Sequence, residues 1–473
     1  MTNFLISLLI FLPKTLLGFF IVHRIWPERC WQTLVIKLVS GFVLGAGISS
    51  ALMLFALRAG IPPSTYARSE FGFTVFLLIT MTILTYHSQP LQIKHLLNVL
   101  RQKTNISWPE TALLVILLLA FILSSGTFIY YSFQHPHGFS DAWTIWNNLA
   151  RYIFRSNDAG LIFDTARYFR IHYDYPAMYS MNIAGAWSVL QSDSTRTPIA
   201  FTFLGVFAIP VTLWASVSYL KGNLQGAIVA TIALMTPHFG LTVGQYSDVF
   251  LALNILLTGI FLYSYQIKSE TRFLLLAGLM AGFAAWTKNE GLLFLAISGA
   301  VSDWLVIRNH RTKHFLAFIA GMSLPLLVVI FFKTNVFYRS DLASSPEKSL
   351  LHLLDISRYM QIAWAYLTYS WRFGDWPISP VLILSVYAIL VRFSAEIKNG
   401  FAILSLLVLQ QTGYFLIYLI TPHDLDWHIY TSLTRLLLHT YPLALFWLFI
   451  ALNSPYKGTS ETCSSPSTSA TPT

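Results

Sequence analysis

Apolar runs of about 20 residues, broken by short polar links, recur along nearly the whole chain, and that length is what a helix needs to cross roughly 30 Å of hydrocarbon. The runs at 4–22, 33–57, 71–86, 110–133, 197–220, 225–243, 248–266, 272–287, 291–306, 314–332, 377–393, 400–420 and 434–452 predict about 13 crossings. The segment 176–190 is short and carries polar residues, which predicts an interfacial or re-entrant helix rather than a span. The expected fold is all-α, a polytopic transmembrane helical bundle with interfacial helices in the first large external loop. No internal repeat is visible in the sequence.

Composition agrees with the pattern. Of 473 residues, 55% are hydrophobic and 11% charged, against roughly 25% charged in an ordinary soluble domain. The formal charge of +10 is scattered in short clusters rather than gathered in a stripe, so it argues for cytoplasmic loops and against a nucleic-acid partner. Cys30 and Cys463 are the chain's two cysteines and lie far apart, which speaks against a disulfide framework. Phe4 to Val22 lacks a basic start and a small-residue cleavage site, so it reads as a retained span. The segment 453–473, rich in Ser, Thr and Pro, has nothing to bury and reads as a disordered tail.

Placing basic loops in the cytoplasm fixes a threading. Arg24 and Arg29, then Lys94, Arg101 and Lys103, then Lys221, Lys268 and Arg272, then Arg308, Arg311 and Lys313, then Arg392 and Lys398 all fall inside if 176–190 does not cross. The sequon Asn105-Ile-Ser107 also falls inside, where it carries no meaning. Asp141, Asp174, Asp248, Glu290, Asp375, Asp424 and Asp426 then share the external face. Acidic residues left over from charge sorting would give the same distribution, so the local motifs have to decide.

Asp141 lies in Gly138–Tyr152 (GFSDAWTIWNNLARY), with His135 and His137 before it and an apolar stripe of Trp143, Trp146, Ala150 and Phe154 behind it. That spacing suits an interfacial helix N-capped by Ser140 or Asp141, and equally a reactive carboxylate at the water boundary. His172–Pro176 (HYDYP) sets Asp174 before a proline that can open a helix. Asp248 in Gly244–Val249 (GQYSDV) starts a span, where capping competes with function. Trp286–Gly291 (WTKNEG) puts Lys288 and Glu290 between two half-length apolar segments, where charge at membrane depth implies pairing or a functional role. In Thr421–Arg435, His423, Asp424, Asp426 and His428 have the donor types of a divalent-cation site, although a capped, solvated loop needs the same residues. Arg435 suits a phosphate, onto whose oxygens a guanidinium forks.

Taken in order, these motifs resemble the GT-C superfamily of membrane glycosyltransferases, nearest to bacterial members related to protein O-mannosyltransferases and the lipid A aminoarabinose transferase (family 39-like). The resemblance covers roughly residues 110–450 and rests on Ser140–Trp146, Asp174–Pro176, Tyr246–Val249, Gly282–Gly291, Asp426–His428 and Ser432–Arg435. It implies a polyprenyl-phosphate sugar donor, an envelope acceptor (lipid, glycan or protein), and a site on the periplasmic side of a bacterial inner membrane. It makes Asp141 the essential acid of the first external loop and Asp248 the second acid, with Asp174, His172, Arg151, Lys288, Glu290 and Arg435 as substrate-binding residues. No cofactor is implied with certainty and a divalent metal is not fixed by the sequence.

On this reading 110–452 is the catalytic membrane module, and 1–109 holds N-terminal membrane helices of unassigned role that precede the family plan. A transporter or lipid flippase would also need many spans and intramembrane charge, but would set that charge at mid-span between repeats. An envelope polysaccharide polymerase or ligase, fed by similar lipid-linked sugars, is the other class the sequence admits.

Overall fold

The computed structural model of the protein describes residues 2–88, 108–169, 171–236, 242–336 and 346–455. The basic loop of Lys94, Arg101 and Lys103, the sequon Asn105-Ile-Ser107, Cys463 and most of the tail 453–473 lie outside them. Among the described residues the protein is helical, with no strand.

The helices are α1 (Thr2–Ile25), α2 (Trp31–Arg58), α3 (Pro63–Ser88), α4 (Trp108–Gln134), α5 (Asn147–Ser156), α6 (Met178–Leu190), α7 (Arg196–Lys221), α8 (Asn223–Met235) and α9 (Asp248–Lys268). They continue with α10 (Thr271–Thr287), α11 (Glu290–Arg308), α12 (Phe315–Asn335), α13 (Pro346–Leu354), α14 (Ile356–Trp371), α15 (Pro380–Val391), α16 (Phe401–Ile420) and α17 (Leu425–Ala451).

Nine described helices are long and apolar enough to cross a membrane, or ten if the bent pair α14–α15 is one span. This replaces the expected count of about 13, and the four segments that fall away do so for identifiable reasons. α3 is 26 residues long but carries Arg68 and Glu70 among its first residues. α8 runs 13 residues and α10 runs 17, each short of a span. α15 has 12 residues and meets the α14 segment at 85°.

α9 lies at the centre. Nearly every residue from Asp248 to Tyr263 is buried, and the helix packs on α10, α17 and α7. A helix buried all round is apolar all round, which is why α9 shows no amphipathic face in the sequence. The N-terminal helices belong to the same core: α2 is buried along most of its length, and Trp286 Nε1 on α10 donates to Ser50 Oγ at 2.9 Å. α1 and α2 approach so closely that a Cβ on Gly18 would strike the backbone of Gly41, the small-residue contact by which membrane helices pack without water to drive them together.

α6 is 13 residues, too short to span as expected, and Met178 to Ala184 and Trp187 are buried in protein. Trp146 is fully buried at the end of a π-helical segment, Ala142–Trp146, while Trp143 is exposed. The stripe read from spacing therefore divides: Trp146 and Ala150 are buried in protein, Phe154 is half-buried and Trp143 is exposed.

The 21 residues of α9 separate two charged ends by about 30 Å. At the Lys268 end, Glu28 from the α1–α2 link bonds Lys268, accepts from Tyr219 at 2.8 Å and lies 3.9 Å from Arg272. The Asp248 end carries the candidate site.

Candidate active site at the Asp248 end of the bundle

Asp248 opens α9, but its carboxylate does not cap that helix. It points into the protein, 2% exposed, and collects donors from two other helical regions. Lys288 Nζ reaches Oδ1 at 2.9 Å, His439 Nε2 lies 2.8 Å from the same oxygen, and Arg435 contacts Oδ2 through Nη2 at 2.9 Å and Oδ1 through Nε at 3.3 Å. Arg435 and His439 are four residues apart on α17, one turn, so both present the same helix face to Asp248.

Arg435 Nη2 also pairs with Asp141 Oδ2 at 2.6 Å, and Asp141 keeps 21% exposure. The capping reading of Asp141 is not realised: its side chain makes no cap bond, and Ser140 Oγ instead lies 3.2 Å from the Tyr246 hydroxyl. Lys288 sits in the two-residue link between α10 and α11, where the chain reverses so tightly that a Cβ on Gly291 would strike the Ala284 backbone. From there Lys288 Nζ reaches Glu290 Oε1 at 2.8 Å as well as Asp248. Glu290 Oε2 is buried with no hydrogen-bond partner. α11 alone is long enough to span, so Lys288 and Glu290 lie at a helix–helix turn and not in the middle of one broken span.

Asp141, Asp248, Lys288, Glu290 and Arg435, read from the sequence as site residues, thus form one ion-paired node. Charges this deep are expensive to desolvate and are retained where they act. Asp174 forms a second node beside it: Asn289 Nδ2 donates to Asp174 Oδ2 at 2.6 Å, and Lys333 Nζ donates to Asn289 Oδ1 at 2.6 Å and lies 3.7 Å from Asp174. The adjacent residues Lys288 and Asn289 link the two nodes. Tyr175 stands between them, its ring stacked at 5.6 Å on Trp146 and at 4.9 Å on His172, with Lys288 Nζ 5.9 Å from its centroid.

Arg151 is not brought in. It contacts His137 Nδ1 at 3.0 Å and lies over the Trp187 ring. The Thr421–Arg435 motif divides: Arg435 joins the node, while Asp424 caps α17 through the Trp427 N–H at 2.9 Å and Asp426 accepts from Gln361 at 2.5 Å. No group of three or more His, Cys, Asp or Glu is arranged to hold a metal ion among the described residues.

Three members of these nodes went unread in the sequence. His439 was visible as an imidazole one turn from Arg435 in an apolar helix, a placement that is itself a functional signal. Tyr414, whose hydroxyl lies 3.0 Å from His439 Nδ1, had no local signal. Lys333 was hidden because it stands at the end where charge sorting places few cations.

Burial raises the Tyr246 and Tyr175 hydroxyls above their ordinary value, so both stay protonated and neither is a base at neutral pH. Among the carboxylates of the node Asp141 is the most exposed, at 21% against 17% for Glu290 and 2% for Asp248, and it is held by the Arg435 guanidinium. Beside Val249 and Leu438 lies a small apolar pocket of about 60 Å³, lined by Val206, Ile209, Leu234, Val249, Leu438 and Leu445, among others. Compared with models of protein families, with curated proteins and with solved structures, the chain matches none.

Proposed function

We propose that the protein is a multi-pass membrane glycosyltransferase that moves a sugar from a polyprenyl-phosphate donor to a hydroxyl of an envelope acceptor on the non-cytoplasmic side. The observation that carries this reading is the Asp141–Arg435 pair at 2.6 Å, a partly exposed carboxylate and a guanidinium fixed side by side on a buried anion. The acceptor and the leaving phosphate lie on opposite faces of the anomeric carbon, so the sugar seats between Asp141 and Arg435 and their direct contact opens as it enters.

The acceptor oxygen attacks the anomeric carbon, its proton passes to Asp141, and the carbon–oxygen bond to phosphate breaks with its electron pair on the phosphate. Phosphate leaves as a stable anion without a general acid, and Arg435 and Lys288 supply the positive field its developing charge requires. A single displacement with one base and no covalent sugar intermediate inverts the anomeric centre. Glu290 Oε2, a buried acceptor lacking a donor, suits a hydroxyl of the sugar, since buried polar atoms are seldom left unpaired. Asp248, saturated by donors, serves as the anchor that aims Arg435 and Lys288 rather than as a second base.

The test is release of polyprenyl phosphate from a polyprenyl-phosphate hexose by the protein in lipid vesicles supplied with an envelope extract. Asp141→Asn should abolish release while expression and membrane insertion persist. Wild-type turnover by that variant would overturn the assignment. Mass spectrometry of envelope glycolipids, glycans and glycoproteins with and without the protein would identify the acceptor.

A further inference from the structure

Asp248 can aim Arg435 only if its own carboxylate is held, and the hold comes from a side that faces no substrate. His439 is 0% exposed, with Nε2 2.8 Å from Asp248 Oδ1 and Nδ1 3.0 Å from the hydroxyl of Tyr414, which is also 0% exposed. An ionised carboxylate only accepts, so the hydrogen on this bond belongs to Nε2. Asp248 already touches the cations Lys288 and Arg435, and an imidazolium would set a third cation on one buried carboxylate. A neutral imidazole with its hydrogen on Nε2 leaves Nδ1 as an acceptor, which the Tyr414 O–H fills. Tyr414 stands on α16 and His439 on α17, so the hairpin of these helices carries the whole support.

We infer that His439 and Tyr414 are positioning residues: Tyr414 fixes the Nε2–H tautomer of His439, His439 holds Asp248, and Asp248 sets the direction of Arg435 beside Asp141. The inference rests on the proposed transfer reaction for its kinetic consequence but not for its geometry. Without Tyr414 the imidazole can take the other tautomer, which turns a lone pair toward the carboxylate and loosens the Arg435 fork. Small displacements of a charge-stabilising group cost about 10- to 100-fold in rate.

Two measurements test it on the full-length protein in lipid bilayers. Nitrogen-15 NMR of histidine-labelled protein, with the His439 signal identified by its loss in His439→Gln, should show hydrogen on Nε2 and none on Nδ1. Hydrogen on Nδ1, alone or with Nε2, would overturn the inference whether or not any sugar is transferred. In the transfer assay His439→Gln, whose amide nitrogen sits where Nε2 was, should keep most activity, while His439→Asn, whose nitrogen sits where Nδ1 was, should fall about 10- to 100-fold in kcat. Tyr414→Phe should slow the wild type yet add nothing in the His439→Gln background, because its role runs through the imidazole. Equal loss from Tyr414→Phe in both backgrounds would refute that role. Absence of transfer by the wild type would refute the proposed function and leave the NMR result to decide the tautomer.

Discussion

Asp248→Asn is the substitution whose cost follows most directly from the geometry. The carboxylate is 2% exposed and accepts from Lys288 Nζ, His439 Nε2, Arg435 Nε and Arg435 Nη2. An amide keeps the shape but brings one oxygen and an NH₂ group, so a donor on one side must face a donor. Hydrogen bonds to a charged group contribute roughly 1.5–3 kcal/mol each, and breaking a buried ion pair by removing one partner costs roughly 3–5 kcal/mol. Each cation retains a second acid, Lys288 with Glu290 at 2.8 Å and Arg435 with Asp141 at 2.6 Å, which places the expected loss near the lower bound, about 3 kcal/mol. The assay is equilibrium unfolding in mixed micelles, with Asp426→Asn as control, since that residue accepts one exposed bond from Gln361 and should shift stability by about 0.5 kcal/mol or less. A loss below about 1 kcal/mol for Asp248→Asn would refute the view of Asp248 as the electrostatic anchor of the node.

At the other end, burial pushes the Glu28 carboxyl up, but hydrogen bonds from Lys268 and Tyr219 outweigh it and hold the group below its ordinary value of 4.5. A depressed carboxylate stabilises the fold fully above its unfolded value, and the contribution disappears as pH falls through the lower folded one. Melting temperature should therefore drop as pH falls below 4.5 in the wild type, and Glu28→Gln, less stable at neutral pH, should lose that part of the slope; an unchanged slope would remove Glu28 as its source. Gly291→Ala sets a Cβ against the Ala284 backbone and should cost about 1–3 kcal/mol in the same unfolding assay, whereas a neutral effect would mean the α10–α11 turn opens freely. Reporters active only outside the cytoplasm, fused after Tyr173 and after Glu290, should both be active, and silence of either would break the shared-face arrangement.

Nine of the apolar runs read from the sequence are helices able to span, because a run of that length in a helix has one common use. The runs that fell short show where the rule loses force. α10 is as apolar as a span but ends at Thr287, since the chain must reverse to bring Lys288 and Glu290 onto Asp248, and no hydropathy value records that demand. Trp146 was read at a membrane surface from its spacing, yet tryptophan also serves a protein interior when a partner ring is available, as Tyr175 is for Trp146. Periodicity identifies which face is apolar without saying whether lipid or protein covers it.

Lys288 and Glu290 were legible because charge between apolar segments demands a reason, whereas Asp141, Asp248 and Arg435 were read from their places at span ends and from the order of the motifs. What no local pattern supplied was the pairing. Arg435 is 187 residues from Asp248, Lys288 is 40, and the contacts between them exist only because α9, α10 and α17 share one end of the bundle. The same logic separates the residues that failed to join. Arg151 lies half-buried on the short helix α5 against His137 and Trp187, away from the acids of the node, and so its presence near Asp141 in sequence carried no information about the node. Asp424 and Asp426 begin a helix, the position where carboxylates are cheapest to keep, and there they cap and decorate α17 about 17 and about 14 Å along the axis from Arg435. Burial, rather than proximity in sequence or residue type, sorts the acids of the node: Asp248 is 2% exposed, Glu290 17% and Asp141 21%, so Asp141 is held by its ion pair at the most open of the three positions.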